Sequence, residues 1–343
     1  MIPHSKPTIS KSDIKAVAEQ TKSGMHASGK KTIEFENKIK ILIKTKYAKA
    51  VQTGTTAIHL ALLALNIKKG NEVIIPSYVC QSILSAVKYT QATPVLVDIT
   101  QNSSNITTET IKSKITKKTK AIIVPHMFGI QAEINKIKKL KIPIIEDCAH
   151  FIKPIKSKGK ISIFSFYATK MISTGHGGAI ATNNKKIAKK IENLLKYDKR
   201  KYYKIAYNSS LTDIQSSLGI SQIEKLSQFI KKRKQIAKKY NSSLKDLPII
   251  LPTFPRNSIP FRYIIKLKNK KQKNQIKKHL RKNKIIAEYP IFKPLHQYLK
   301  LPKKYFPNTE KAFATSLSIP IYPSLKDKEI KYIIKTIKNY FIK

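Results

Sequence analysis

Short apolar runs alternate with helical patterns through the first two thirds of this chain, and that alternation constrains its fold most. Val73-Ile-Ile-Pro76, Pro94-Val-Leu-Val-Asp98, Ala121-Ile-Ile-Val124, Ile142-Pro-Ile-Ile145, Ile161-Ser-Ile-Phe164 and Ala179-Ile-Ala-Thr182 read as strands. Strands of this kind separated by helices predict a mainly parallel α/β sheet. Ala57 to Leu65 reads as a helix opened by Thr-Gly-Thr-Thr, and Asp213 to Tyr240 as one long helix or two in succession.

After Leu244 the pattern changes. Pro248, Pro252, Pro255 and Pro260 mark a breaker-rich link. A strand (Phe261 to Leu267), a basic helix (Gln272 to Asn283), a loop and a final helix (Lys326 to Tyr340) follow. The expected organisation is a large domain over 1–240 and a small C-terminal domain over 241–343. A chain of 343 residues is long enough for both.

One lysine stands apart from the others. Lys170 follows the aromatic run Phe164-Ser-Phe-Tyr-Ala-Thr and precedes a cluster with Gly175, Gly177 and Gly178. An amine held against an apolar wall loses its proton more readily, because burial disfavours the charged form. A neutral amine can form a Schiff base with an aldehyde. Upstream, Pro143-Ile-Ile-Glu-Asp147 places a carboxylate at the end of an apolar strand. A lysine paired with a carboxylate for a pyridine nitrogen is the pattern of pyridoxal phosphate chemistry. Asp147 could equally cap a helix or form a structural ion pair.

Thr53-Gly54-Thr55-Thr56 precedes a helix, where free amides and the helix dipole suit a phosphate. The same residues also suit a plain helix cap. Ser165 stands five residues before Lys170, and its hydroxyl could reach the same phosphate. His150 could share the site or cap a turn.

The formal charge of +49 comes from lysines spread along the whole chain. Arginine, the better reader of phosphates and bases, occurs only at positions 200, 233, 256, 262 and 281. With Ile and Asn also abundant, this is a drift of composition and not a nucleic-acid-binding block, so no specific nucleic-acid partner is expected. An anionic substrate would still benefit from the field. No apolar run is long enough to span a bilayer, and the N-terminus lacks the apolar core of a signal peptide. Cys80 and Cys148 form no metal-ligand spacing and no disulfide framework. The expected setting is the cytoplasm, with no membrane partner and no metal.

Taken together and in order, these motifs resemble those of the DegT/StrS family of sugar-nucleotide aminotransferases. The similarity also covers Pro7 to Glu36, Gly70 to Tyr78, Ala121 to Gly129, Ala206 to Gln222 and Ser318 to Leu325. The resemblance implies the fold type I architecture of pyridoxal-phosphate-dependent transferases. That is a mostly parallel seven-stranded sheet flanked by helices, plus a small α+β domain. It implies pyridoxal 5'-phosphate as cofactor and Lys170 as the catalytic Schiff-base lysine. Asp147 matches the partner of the pyridine nitrogen, and Gly54, Thr55, Thr56 and Ser165 the phosphate cradle. Asn208 matches a residue that reaches the phosphate from a neighbouring subunit, hence a homodimer with shared sites. Cys80 stands where many members stack an aromatic ring on the cofactor, and His150 where they usually carry Gln; both are placed beside the cofactor. His176 replaces an acidic residue, and Ser209 and Ser210 stand where an Arg is expected. Phe151 to Ile161 is short for the family.

The implied reaction moves an amino group, with glutamate as the usual donor, onto a keto-deoxy sugar linked to a nucleotide, for amino-sugar and cell-surface polysaccharide biosynthesis. Two alternatives are a cofactor-dependent sugar dehydratase and a catalytically idle binding or regulatory protein. Dehydratase relatives replace the lysine with histidine, whereas Lys170 is present.

Overall fold

The computed structural model describes residues 1–101, 103–154 and 156–342. Its main sheet is built from β1 (Tyr47–Val51), β2 (Glu72–Pro76), β3 (Thr93–Val97), β4 (Thr119–Pro125), β5 (Ile144–Asp147), β6 (Ile161–Ser165) and β7 (Gly178–Thr182). The seven strands lie in the order β1-β7-β6-β5-β4-β2-β3. All neighbours pair in parallel except β7, which runs antiparallel to both β6 and β1. This is the mostly parallel seven-stranded sheet expected.

The expected strands from Val73 to Thr182 all form. The strand expected from Ile142 begins instead at Ile144. Pro143 has no N–H to give to a ladder, although its carbonyl accepts from Ile122 at 3.0 Å. β1 was not foreseen. Its Tyr-Ala-Lys-Ala-Val sequence lacks a continuous apolar run, yet Lys49 is accommodated because Nζ meets Glu36 at 3.2 Å.

Four helices introduce the N-terminal half: α1 (Lys11–Lys22), α2 (Lys30–Leu42), α3 (Gly54–Ala64) and α4 (Gln81–Tyr89). α3 lies against β6 and β7 and buries Ala57, Leu60, Ala61 and Leu62 completely. Each leucine buried in this way contributes about 1.5–3 kcal/mol of apolar transfer free energy. The long helical pattern after Asp213 is two helices, Asp213–Glu224 and Leu226–Leu244, meeting at Lys225.

The helix Leu226–Leu244 serves two cores. Leu226 and Phe229 pack with Phe164 and Phe166. Ile236, Tyr240 and Leu244 pack with β8 (Tyr263–Lys266) and β9 (Ser316–Ile319), an antiparallel pair, and with Ile333 and Ile337 of the last helix. The first residues join this second core. Ile2 bridges Ile285, and its N–H donates to Lys284 at 2.7 Å.

Candidate active site

β2, β4, β5 and β6 are parallel, so their C-terminal ends share one edge of the sheet, the edge where α/β proteins bind ligands. Asp147 ends β5 and Ser165 ends β6. The register places Asp147 across from Ile163, and Ser165 and Val51 across from Gly178. α3 starts three residues after β1 ends, so its N-terminus arrives at the same edge. Gly178 permits that arrival. A Cβ there would stand 2.4 Å from the Thr53 carbonyl oxygen and 2.8 Å from the Gly54 nitrogen. At Gly54 a Cβ would come 2.9 Å from the Ser165 Cβ.

These elements enclose a cleft of about 390 Å³. Gly54, Thr55, Cys80, Asp147, Ser165 and Lys170 all line it. Among the described residues the N–H groups of Gly54 and Thr55 have no hydrogen-bond partner, whereas Thr56 N–H donates to the capping Thr53 hydroxyl at 3.0 Å. The floor of the cleft therefore carries free amides at the positive end of a helix, a ready anion site.

Lys170 sits in a tightly pinned loop. Phe166 N–H donates to Gly177 and Ala168 N–H to Gly175, each at 2.9 Å, while Lys170 N–H donates to Tyr167 at 2.8 Å. Gln215, on the helix Asp213–Glu224, donates to the His176 carbonyl at 2.8 Å. The Lys170 Nζ stands 5.5 Å from the centre of the Phe261 ring. Burial lowers the Lys170 pKa, opposed by the Asp147 carboxylate and reinforced by the Arg262 guanidinium.

Asp147 is 6% exposed. Its Oδ1 accepts from Ala149 N–H at 2.9 Å, and Oδ2 has no partner among the described residues. Burial raises its pKa, against the Ala149 hydrogen bond and the charge of Lys170. The next carboxylate back, Glu146, is saturated. It accepts from His126 at 2.9 Å, from Ser157 at 3.0 Å, and from Lys158 and Gly159 N–H at 2.9 and 2.7 Å. His126 Nδ1 accepts from Ala132 N–H at 3.0 Å. His126, Glu146 and Cys148 cluster closely enough to suggest a metal, but the His and Glu donor atoms are already engaged with the protein, so the cluster is a buttress behind Asp147.

Three expected site residues are not among those that line the cleft. Thr56 turns its hydroxyl to Thr53 at 2.8 Å. His150 does not line the cleft. Its ring is stacked on Phe261 at 4.3 Å and faces Phe128 at 6.0 Å, which burial drives toward the neutral form. Asn208 is exposed and does not line the cleft of its own chain. Sequence reasoning missed Tyr167, which forms part of the wall, and Phe261, which backs Lys170 from far along the chain. Tyr167 had a signal, being three residues before the lysine; Phe261 had none.

A mostly parallel α/β sheet whose C-terminal edge gathers a lysine, a buried aspartate and a helix N-terminus defines a transferase of the aspartate-aminotransferase fold. The profile of the DegT/DnrJ/EryC1/StrS aminotransferase family matches residues 7–338. The chain belongs to that family. It is 33% identical to the uncharacterized protein MJ1066 of Methanocaldococcus jannaschii, over 98% of this chain and 97% of that one. It is 31% identical to the GDP-perosamine synthase of Escherichia coli O157:H7, over 90% and 89%. Among solved structures it resembles the putative sugar aminotransferase Spr1654 from Streptococcus pneumoniae. The PMP form superposes with a TM-score of 0.92 at 27% identity, over 98% of this chain and 97% of that one. The PLP form gives 0.92 at 26%, over 98% of each.

Proposed function

We propose that this chain is a pyridoxal-phosphate aminotransferase that moves an amino group from glutamate onto a keto-deoxy sugar carried by a nucleoside diphosphate. The observation that carries the reading is the convergence of Lys170, Asp147 and the unpartnered amides of α3 on one cleft. The PLP and PMP forms of the Streptococcus pneumoniae relative support the cofactor, and the GDP-perosamine synthase relative supports the sugar class.

The residues fit pyridoxal phosphate. Gly54 and Thr55 N–H, with the Ser165 hydroxyl, would hold its phosphate. Asp147 Oδ2, free of other partners, would hold a proton on its ring nitrogen. When bound, the cofactor supplies an electron sink for charge left at a carbon that gives up a proton. Lys170 Nζ would take that proton and return it. Its burial matters here, because a proton carrier works best with a pKa near the working pH. Cys80 would lie beside the ring, a smaller wall than an aromatic.

We read the chain as a large domain over 1–240 and a small one over 241–343, on the strength of the two cores that meet at the helix Leu226–Leu244. We read it as a homodimer in which the exposed Asn208 reaches the phosphate site of a second copy. The cytoplasm is the setting that nucleotide sugars imply, and among the described residues no helix is long and apolar enough to cross a membrane.

The test incubates purified protein with pyridoxal phosphate, glutamate and a panel of nucleotide-linked keto sugars. An amine replacing the keto oxygen, with one 2-oxoglutarate formed per amine, is the expected result. No amine from any sugar and any donor overturns the reading.

A further inference from the structure

Arg233 is a buried cation with no carboxylate to answer it. It lies on the helix Leu226–Leu244, between Phe229, which packs in the core with Phe166, and Ile236, which packs in the second core. The residue is 3% exposed, and its Nε is buried without a hydrogen-bond partner. Among the described residues no carboxylate pairs with Arg233, whereas the enclosed Asp13 meets Lys225 at 2.6 Å. Taking a guanidinium out of water without a counter-charge is costly. Burial, then the charge of Arg262, push the Arg233 pKa down to about 9.

Backbone carbonyls offset part of that cost. Nη1 donates to the Phe261 carbonyl at 2.9 Å and to the Ile321 carbonyl at 2.8 Å. These two residues continue the β8–β9 ladder beyond its end pair, Tyr263 and Ile319. One nitrogen therefore closes the open end of the strand pair. The same segment is fastened again just upstream. Ile259 N–H donates to the Gly129 carbonyl at 2.9 Å, and a Cβ at Gly129 would stand 1.7 Å from the Ile259 carbonyl oxygen. Phe261 is thus held between the turn after β4 and Arg233.

The Phe261 ring carries this to the chemistry. Its centre lies 5.5 Å from Lys170 Nζ, 4.3 Å from the centre of the His150 ring, and 5.7 Å from the guanidinium carbon of Arg233 and from that of Arg262. The negative face of an aromatic ring attracts cations, and here three surround one ring. The charged and titratable groups that bear on the Lys170 amine are Asp147 at the end of β5, Cys80 just before α4, and Arg262 just before β8, with His150 beside the same ring. Among the described residues Lys170 Nζ has no hydrogen-bond partner, so the ring is the surface it rests against. We propose that Arg233 is a positioning residue for Lys170: by fixing the Phe261 backbone it keeps the ring packed against the amine and keeps water away from it. This rests on the reading of Lys170 as the lysine that meets pyridoxal phosphate.

The test follows the uptake of pyridoxal phosphate by the cofactor-free protein over a range of pH, read as growth of the visible band. Wild type, Arg233→Met, Arg233→Lys, Phe261→Ala and the double variant Arg233→Met with Phe261→Ala are compared, with melting curves to show that each is folded. In Arg233→Met the uptake rate at neutral pH should fall about tenfold and its rise with pH should move up by about one pH unit, because water at the amine favours the ammonium. Arg233→Lys keeps a charged donor for the two carbonyls on a shorter reach, so its shift should be smaller. In the Phe261→Ala background Arg233→Met should add nothing. A folded Arg233→Met that melts lower but keeps the wild-type pH limb overturns the proposal and leaves Arg233 a structural tie. A full further shift in the Phe261→Ala background also overturns it, since Arg233 would then act directly by its charge. If Arg233→Met does not fold, Arg233→Lys is compared in both backgrounds with the same expectations. Uptake needs neither glutamate nor sugar. A wild type that takes up no cofactor at any pH retires the reading of Lys170, and this proposal with it; one that takes it up with an unmoved limb in the variants retires the proposal alone.

Discussion

The Lys170 Nζ stands 5.5 Å from the centre of the Phe261 ring, ninety-one positions further along the chain. The ring is 4% exposed and also stacks on His150 at 4.3 Å. Burial is the leading cause of the lowered Lys170 pKa. Phe261→Ala admits water and raises that pKa, because water favours the ammonium. The rate at which the cofactor-free protein takes up pyridoxal phosphate follows the neutral amine, so its rise with pH should move to higher pH in the variant. An unmoved or lowered pH limb would contradict this role for the ring.

Asp147 illustrates a conflict between stability and function. Its pKa is raised mainly by burial, so the folded state binds that proton more tightly than the unfolded chain does. The ionised carboxylate therefore costs stability above its folded pKa, and the cost fades as pH falls through that value. Cofactor-free Asp147→Asn should melt higher than wild type at pH 7, with a difference that shrinks toward acid. Its turnover should fall on the order of a hundredfold, the effect of losing a charged hydrogen bond in a buried site. Equal melting at pH 7 together with full turnover would contradict both parts.

Glu146 behaves in the opposite sense. Burial raises its pKa, but the hydrogen bond from His126 and the N–H groups of Gly159 and Lys158 outweigh that and bring it to about 2. A depressed folded pKa gives stability that is present above the unfolded value near 4.5 and lost as pH falls toward 2. Glu146→Gln should lower stability by about 1–3 kcal/mol at neutral pH and flatten the loss between pH 4.5 and 2. Denaturant unfolding across that range is the measurement.

Gly178→Ala should weaken cofactor retention. The new Cβ meets backbone at 2.4 to 2.8 Å, so the N-terminus of α3 must shift, at a cost of about 1–3 kcal/mol. Dialysis of the loaded protein should release pyridoxal phosphate faster than from wild type. Unchanged retention would place the phosphate elsewhere.

Much of this was legible in the sequence where the signal is local. The strands from Val73 to Thr182 stand out because they are buried on both faces and so carry unbroken apolar runs. Asp147 and Ser165 could be read because each ends such a run, and Lys170 because it stands between an aromatic stretch and a glycine cluster. β1 was hidden because Lys49 interrupts it, and only the partner Glu36 explains why a lysine is tolerated there. β9 was hidden because its Ser-Leu-Ser-Ile buries both serines. His150 is expected beside the cofactor from its place in the motif, and its stacking on Phe261 and Phe128 is visible only in the folded chain. Arg233 had no local signal, since an unanswered charge is visible only when all its neighbours are in place.

The most direct test of the central claim, that Lys170 and Asp147 form a pyridoxal phosphate site charged by an amino acid, is an absorbance spectrum. Purified protein is mixed with pyridoxal phosphate and then with glutamate. A visible band should form with the cofactor, be absent in Lys170→Ala, and disappear when glutamate is added. A protein that forms no band, or a Lys170→Ala variant that turns over normally, would contradict the account.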